Sequence, residues 1–134
     1  RQSAVLQDHL RCDVSEFDCV LIDCPPSMGK LTRSALAAST EVIIPIQCEY
    51  YAMEGLSQMI LAIRDCMQAS DNRLSIGGVV LTMFDPTLEL THEVDHEVRD
   101  YCGDIVFDTV IPRDVAFPEA TSHGLSILEY APRS

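Results

Sequence analysis

The carboxylate of Asp23 follows directly after a short run of apolar residues, a position from which a side chain can bind a ligand. The run Cys19–Ile22 shows no polar alternation, Asp23 follows it at once, and Pro25 and Pro26 come close behind. An unbroken apolar run of this length is typical of a strand buried on both faces. Two prolines cannot continue a strand or enter a helix interior, so the chain must turn at Pro25. Asp23 is therefore predicted at the carboxyl end of a central parallel strand.

That position determines the chemistry expected of Asp23. Ligands of open α/β sheets bind at the carboxyl ends of the strands. A lone carboxylate is costly to bury, so a hard cation such as Mg²⁺, or its water shell, is the natural partner. This is the role of the Walker-B aspartate of nucleotide hydrolases, which helps to hold Mg²⁺ beside phosphates. The residue pattern fits an aspartate that caps the following turn equally well, so both interpretations stay open at this point.

The composition limits the class of protein. The 134 residues suffice for one domain, predicted to span residues 1–134. Hydrophobic residues make up 47% and charged residues 22%, as in soluble globular proteins. No apolar run has the length of a membrane span and no secretory signal opens the sequence, so we expect a cytoplasmic protein. The six cysteines show no paired spacing, which agrees with reduced thiols in such a compartment.

The charge balance argues against two classes of partner. The formal net charge is −12, and the nine basic residues include a single lysine, Lys30. Nucleic acids and acidic membrane surfaces bind basic patches, so neither is an expected partner of this chain. Most of the negative charge is expected to form an ordinary solvated surface.

The elements that must position Asp23 alternate between strands and helices. Further strands are predicted over residues 41–46, 76–83 and 106–111, and helices over residues 1–11, 31–39, 53–69 and 88–101. A helical turn is expected at Pro118 and a last short strand at Ile127–Leu128. This alternation predicts an α/β fold with a mostly parallel sheet and helices on both faces. The loops after the strands should line one rim of that sheet.

Six segments in sequence order carry a family resemblance. They are residues 18–27, 45–56, 78–85, 110–113, 119–124 and 130–134, each weak alone and specific together. With them the chain resembles the ParA/Soj partition ATPases, the deviant-Walker group that includes MinD. The resemblance implies a P-loop NTPase-like fold and an ATPase that dimerises around two ATP molecules. It also implies that hydrolysis positions chromosomes, plasmids or other large cargo, with a ParB-like protein as a candidate partner.

The resemblance also implies roles for individual residues. Asp23 would hold the water shell of Mg²⁺, and Pro25 and Pro26 would belong to the switch that senses the γ-phosphate. The positions that surround adenine in relatives are occupied here by Met83, Pro112, Arg113 and Asp114. Relatives usually have Asn where this chain has Asp114, and an ionised Asp accepts hydrogen bonds but cannot donate them. The resemblance therefore leaves open whether this chain has the same nucleotide preference as its relatives.

Three features of relatives are absent from this sequence. No Gly-rich P-loop occurs, since the Gly29-Lys30 pair has Cys24 where the motif needs Gly and Leu31 where it needs Ser or Thr. The switch I carboxylate, which also precedes this segment in relatives, is missing too. We therefore expect the carboxyl-terminal part of an ATPase, without its P-loop strand and not hydrolytic alone. The strand edges left unpaired favour a homodimer or oligomer. DNA-binding relatives carry arginines where this chain has Thr87 and Ala116, which argues against direct DNA binding.

Two other functions stay open. One is a non-catalytic ParA-like interaction module that binds partners through residues 48–56 and 115–124. The other is a zinc hydrolase, because His92–His96 spells the HExxH motif, with two histidines one helical turn apart and a glutamate as general base. The polar surface pattern of that helix weighs against zinc, and so does the unknown placement of a third ligand such as His123 or Glu119.

Overall fold

The structure is a computed structural model that describes Leu6 and residues 16–69 and 74–132. The helix predicted over residues 1–11 lies outside the described residues, apart from Leu6. The elements are α1 Lys30–Ala38, β1 Glu41–Gln47, α2 Ala52–Ala69, β2 Ser75–Phe84, α3 Glu89–Cys102, a 3-10 turn Gly103–Ile105, β3 Val106–Pro112, α4 Ala116–Ser122 and α5 Ile127–Tyr130. The strands β1 to β3 and the helices α1 to α3 agree with their predicted bounds to within one residue at each end. None of these described helices is long and apolar enough to cross a membrane.

The described strands form one parallel sheet in the order β1-β2-β3. Ile44 pairs with Val79, and Val79 pairs with Val106, so these three side chains lie on the same face. The helices α2 and α3 each connect one strand to its parallel neighbour, which is the usual way to join parallel strands. The predicted α/β class with a mostly parallel sheet is confirmed.

The hydrophobic core lies on the face that carries Ile44. Its fully buried members come from β1, β2, α2 and α3, among them Ile44, Leu56, Ile63, Val79, Leu81 and Val98. The helical spacing of Leu90, Val94, Val98 and Tyr101 in the sequence predicts one buried face of α3. The structure instead buries Thr91, Val94 and Val98 and leaves Leu90 and Tyr101 exposed. The buried stripe thus includes Thr91 in place of Leu90, because Thr91 shares a face with Val94 and Val98 at the i, i+3, i+7 spacing.

The opposite face of the sheet is more exposed to solvent than the face that carries Ile44. Ile43 pairs with Gly78 on that face, and a Cβ atom on Gly78 would meet Phe107 Cζ at 2.6 Å. A glycine is needed at this position because the Phe107 ring occupies the space of a side chain. Ile43 is 53% exposed, so β1 is buried on one face only and is not the fully buried strand that its apolar run predicts. As an edge strand of the described sheet, β1 also tolerates Pro45.

The first predicted strand is the main correction. Residues Cys19–Ile22 form no strand, and Leu21 is 89% exposed. Within the part of the chain that the structure describes, no strand pairs with this segment, and β1 pairs only with β2. A strand needs a neighbour for its backbone N–H and C=O groups, and an apolar run alone does not supply one. Asp23 therefore follows an irregular segment and not a central buried strand.

The last predicted strand, Ile127–Leu128, is also wrong, because these residues belong to helix α5. Ser126 Oγ accepts a hydrogen bond from Glu129 N at 3.3 Å, and Glu129 Oε2 accepts one from Ser126 N at 3.1 Å. This reciprocal capping box starts a helix, and its Ser-x-x-Glu spelling is visible in the sequence. The helical turn predicted at Pro118 is confirmed as part of α4.

Candidate functional site

The carboxyl ends of the three strands meet at one edge of the sheet, which we call the rim. It consists of the last residues of β1, β2 and β3 together with the loops that follow them, at residues 47–51, 83–88 and 112–115. Cys48 N donates to Thr82 O at 3.0 Å, and Arg113 N donates to Phe84 O at 2.9 Å. The loops after the two outer strands are thus both attached to the end of β2. The rim contains the predicted base-binding residues Met83, Pro112, Arg113 and Asp114.

Met83 has an unusual backbone conformation. Among the described residues it is the non-glycine residue with a positive φ, at 55°. Such a conformation costs roughly 1–3 kcal/mol and persists only where the surrounding structure holds it. The register between β2 and β3 shifts between Leu81 and Phe84, so the irregular part of this pairing includes Met83. Backbone strain of this kind concentrates at functional sites, which favours the end of β2 as one.

Charged side chains connect the rim loops. Asp85 accepts hydrogen bonds from Thr87 Oγ1 at 2.6 Å and from Thr87 N at 3.0 Å. These bonds, with a smaller contribution from the Arg113 guanidinium, lower the pKa of Asp85 below its ordinary value. Arg113 Nη2 lies 3.5 Å from Glu49 Oε1, so this ion pair bridges the loops after β1 and β3. Both side chains are more than half exposed, so the pair orients Arg113 more than it stabilises the fold.

Asp114 lies beside an apolar cleft at the end of β3. Its Oδ1 accepts a hydrogen bond from Ala116 N at 2.8 Å, where α4 begins. The cleft has a volume of ≈ 280 Å³ and is lined by the end of β3, by Phe117 of α4 and by Ile127 of α5. That volume is at the lower end of small-molecule pockets, so it suits one ring system better than a whole nucleotide.

Asp23 is placed apart from these contacts. It is exposed, and no hydrogen bond or ion pair joins it to the rim within residues 16–69 and 74–132. The turn after the two prolines is attached to the body of the molecule, because the buried Thr32 hydroxyl donates to Ser27 O at 2.6 Å. Met28 packs against the hydrophobic core. The segment is therefore fixed at its carboxyl end, while its carboxylate is open to solvent.

The arrangement of carboxylates fits one kind of metal binding better than another. The described residues contain no group of three or more His, Cys, Asp and Glu that could hold a metal ion. Mg²⁺ keeps several waters and usually takes one or two carboxylates together with substrate phosphates. The single open carboxylate of Asp23 thus fits Mg²⁺ that arrives with a nucleotide, and does not fit a cage made by protein side chains alone.

The histidines of the HExxH motif make separate contacts. His92 Nε2 lies 3.1 Å from Pro86 O, and its ring packs edge-on against Phe84 with the centroids 5.5 Å apart. His96 Nδ1 lies 3.0 Å from Asp100 Oδ2, and both side chains are largely exposed. Since no metal-holding group occurs in the described part of the chain, the structure gives the zinc hypothesis no support.

The contacts between rim residues differ in how far the sequence predicts them. The Glu49–Arg113 ion pair joins the ends of two strands that are not neighbours, and no local pattern predicts it. The hydrogen bonds between Asp85 and Thr87 do have a sequence signal, because an Asp whose side chain bonds the backbone two residues on is typical of turns.

Comparison with known proteins decides the family. Residues 1–76 match a protein family described as an AAA domain. The chain belongs to this family. The match extends from the first residue of the sequence to the start of β2, and so includes Asp23 and both prolines.

Two curated relatives of this AAA-domain chain are partitioning proteins. It is 49% identical over 114 residues to the chromosome-partitioning ATPase Soj of Treponema pallidum, covering 85% of this chain and 45% of that protein. It is 46% identical over 125 residues to the chromosome partitioning protein ParA of Myxococcus xanthus, covering 93% and 44% respectively. The chain thus spans less than half the length of these relatives. The resemblance to the ParA/Soj family is confirmed.

A solved structure with bound ligands has the same fold. It is the cobyrinic acid a,c-diamide synthase of Mycobacterium smegmatis, with a bound ATP analog and magnesium. The TM-score is 0.76 at 34% identity, and the superposition covers 84% of this chain and 46% of that one. Nucleotide and magnesium are therefore ligands of a structural neighbour of this AAA-domain chain.

Proposed function

We propose that this chain is the nucleotide-facing part of a Soj/ParA-type ATPase, which hydrolyses ATP with Mg²⁺ to position chromosomes, plasmids or other large cargo. The observation that carries this proposal is the rim, which gathers three strand-end loops at the edge of a parallel sheet where ligands of such folds bind. The similarity to partitioning proteins and to a synthase that binds an ATP analog supports it.

The rim is expected to bind the base of the nucleotide. Met83 and Pro112 offer apolar surface, and Met83, with its positive φ, lies next to the last residue of β2. Arg113 is oriented by Glu49 and supplies donors, whereas the carboxylate of Asp114 accepts hydrogen bonds. In this assignment the binding residues come from the ends of β2 and β3 and the loop after β3, and the loop after β1 orients one of them.

Asp23 and the two prolines are expected to serve the phosphate side. Asp23 is open to solvent and without a protein partner among the described residues, so it is available to the water shell of Mg²⁺. Pro25 and Pro26 restrict the backbone that follows, as a switch segment next to the γ-phosphate requires. When bound, Mg²⁺ would neutralise charge on the phosphates.

The hydrolysis proposal is tested first on this chain. Its sequence contains no P-loop, so we expect no phosphate release from ATP above background in a malachite-green assay. Turnover that Asp23→Ala abolishes would contradict the expectation. In a longer protein that joins this chain to a P-loop, Asp23→Asn should lower activity about 10- to 100-fold, as expected for a group that holds a metal's water shell. The exposed Asp104→Asn is the matched control.

The expected partners follow from the same proposal. We infer a homodimer or oligomer, supported by the one-sided burial of β1 and the exposed Leu21 and Leu31. A ParB-like protein is the candidate regulator and the cytoplasm the expected location, while the acidic charge argues against direct DNA binding. Light scattering after size-exclusion chromatography tests the oligomer, since a monomer at every concentration would contradict it.

A non-catalytic interaction module is the second candidate. Tyr50 and Tyr51 are 77% and 74% exposed, and their rings contact each other edge-on with the centroids 5.1 Å apart. Exposed tyrosines are enriched at protein–protein interfaces, which supports this candidate. Calorimetry with Mg²⁺ and ATP separates the two functions. No binding heat would favour the interaction module, and saturable heat would favour the nucleotide site.

A further inference from the structure

A second cleft lies between helices α2 and α3, at the edge of the sheet opposite the rim. It is lined by Ile60 and Arg64 of α2, Ile76 of β2, Tyr101 and Cys102 of α3, and Ile105 of the 3-10 turn. Its volume is ≈ 270 Å³. Ile76 and Ile105 lie at the amino ends of β2 and β3, whereas the rim is formed at the carboxyl ends of the strands. This cleft is therefore separate from the proposed nucleotide site.

The walls of this cleft are mostly apolar. Ile60 is buried and belongs to the hydrophobic core, whereas Ile105 and Tyr101 are 37% and 56% exposed. Cys102 is half-buried, and burial raises the pKa of its thiol, so this wall residue is uncharged at neutral pH. An apolar group that covered the exposed isoleucine and tyrosine surface would remove it from water, which favours binding.

Arg64 is the one charged side chain among the described residues that line the cleft. It is exposed, and within the part of the chain that the structure describes its guanidinium has no ion pair. The positions three and four residues away on α2 hold no Asp or Glu, so no acidic neighbour on the helix can pair with it. By contrast, Arg99 pairs with Asp95 at 2.7 Å. Arg64 thus places an uncompensated positive charge beside an apolar cleft.

We propose that this cleft binds a small apolar carboxylate, with Arg64 as the counterion of the carboxylate and the isoleucines in contact with the apolar body. A guanidinium presents its N–H donors in a planar fork that matches a carboxylate. One arginine balances one negative charge. A phosphate monoester carries about two and would leave charge uncompensated on a chain whose formal net charge is −12. The volume limits the apolar body to about one ring or a short alkyl chain.

The attraction for an anion must come from Arg64 itself, because the chain as a whole is acidic. Asp65 and Asp104 adjoin lining residues in the sequence, but neither is among the described residues that line the cleft. Removal of the Arg64 charge should therefore lower the affinity for a carboxylate about three- to tenfold, as expected for a charge-assisted hydrogen bond to an exposed arginine that solvent screens. The affinity for a neutral molecule of the same shape should not change.

The test measures the binding of hexanoate to the 134-residue chain by NMR titration of its isoleucine methyl groups. Hexanol is the matched ligand, because it keeps the alkyl chain and lacks the carboxylate. The variants are Arg64→Gln and the control Lys30→Gln, which removes the same charge from the exposed start of α1. Circular dichroism and thermal melting establish that each variant is folded.

We expect hexanoate to shift the methyl signals of Ile60, Ile76 and Ile105 saturably and to bind the wild type at least as tightly as hexanol does. Arg64→Gln should weaken hexanoate about three- to tenfold and leave hexanol unchanged, and Lys30→Gln should change neither affinity. No saturable binding to the folded wild type, tighter binding of hexanol, an unchanged hexanoate affinity in Arg64→Gln, or an equal loss in Lys30→Gln overturns the inference. Saturable shifts confined to other isoleucines overturn it as well. Each of these outcomes leaves the proposed nucleotide site standing, because the two sites lie at opposite edges of the sheet.

Discussion

Two apolar segments of similar composition lie in opposite environments. Residues 20–22 are Val-Leu-Ile and residues 79–81 are Val-Val-Leu. Leu21 is 89% exposed, whereas Leu81 is 0% exposed. The difference is that β2 has a parallel strand on each side, while no described strand pairs with residues 19–22. Neighbouring strands, and not apolar character alone, make a segment into a buried strand.

The aspartates that follow these two segments differ in the same way. Asp85 comes directly after β2 and accepts two hydrogen bonds from Thr87. Asp23 follows the unpaired segment and, among the described residues, has neither a hydrogen bond nor an ion pair. The base side of the proposed site is therefore organised by the sheet, whereas its proposed metal side is not.

The largest expected difference between the two segments is in the effect of a Leu→Ala substitution on the free energy of unfolding. Leu81→Ala removes a fully buried side chain and should lower the free energy of unfolding by about 2–5 kcal/mol. Leu21→Ala removes an exposed one and should change it by less than about 0.5 kcal/mol. Urea denaturation of both variants beside the wild type gives the comparison.

Similar losses in the two variants would mean that Leu21 is buried in solution, for example between copies of the chain. Amide hydrogen exchange provides an independent check. The amides of Val79 and Leu81 should exchange only through global unfolding, and those of Val20 and Leu21 should exchange with little protection.

Two glycine substitutions, one in β2 and one in α2, test how closely β2 packs against β3. In Gly78→Ala the new Cβ would meet the Phe107 ring at 2.6 Å, so we expect a loss of about 1–3 kcal/mol in the free energy of unfolding. Gly55→Ala is the matched control, because nothing lies within 4 Å of its new Cβ in helix α2. It should gain up to about 1 kcal/mol from helix propensity. Equal effects of the two substitutions in thermal or urea unfolding would contradict close packing at Gly78.

The smallest expected effect is a change in the pKa of Asp85, which lies in the rim. The pKa of Asp85 is lowered from its ordinary 3.8, so its contribution to stability is present above that value and is lost as the pH falls through the lowered one. Thr87→Val removes the Oγ1 donor and keeps the backbone N–H, so the pKa of Asp85 should rise and the acid-dependent loss of stability should shrink. NMR titration of the Asp85 side-chain carboxyl measures the pKa, with the exposed Thr109→Val as control. An unchanged titration would rule out the Thr87 hydroxyl as a significant donor.

Much of this fold was predictable because its signals are local. The apolar stripe of α2 predicts that helix, and Gly103, with its φ of 61°, ends α3 as its position in the sequence indicates. The capping box of α5 was also available, but the apolar pair Ile127–Leu128 favoured a strand when taken alone. The Glu49–Arg113 ion pair was not predictable, since it depends on the order of strands in the sheet.

The sequence by itself determined the alternation of strands and helices, the partition-ATPase resemblance and the acidic character of the chain, because periodicity, motif spelling and charge belong to neighbouring residues. Only the tertiary structure decided that the loops after β1 and β3 attach to the end of β2, that Met83 takes a positive φ, and that Cys19–Ile22 has no described partner strand. The physical reason is that a parallel strand is completed by hydrogen-bonding groups from distant parts of the chain, which no local pattern contains.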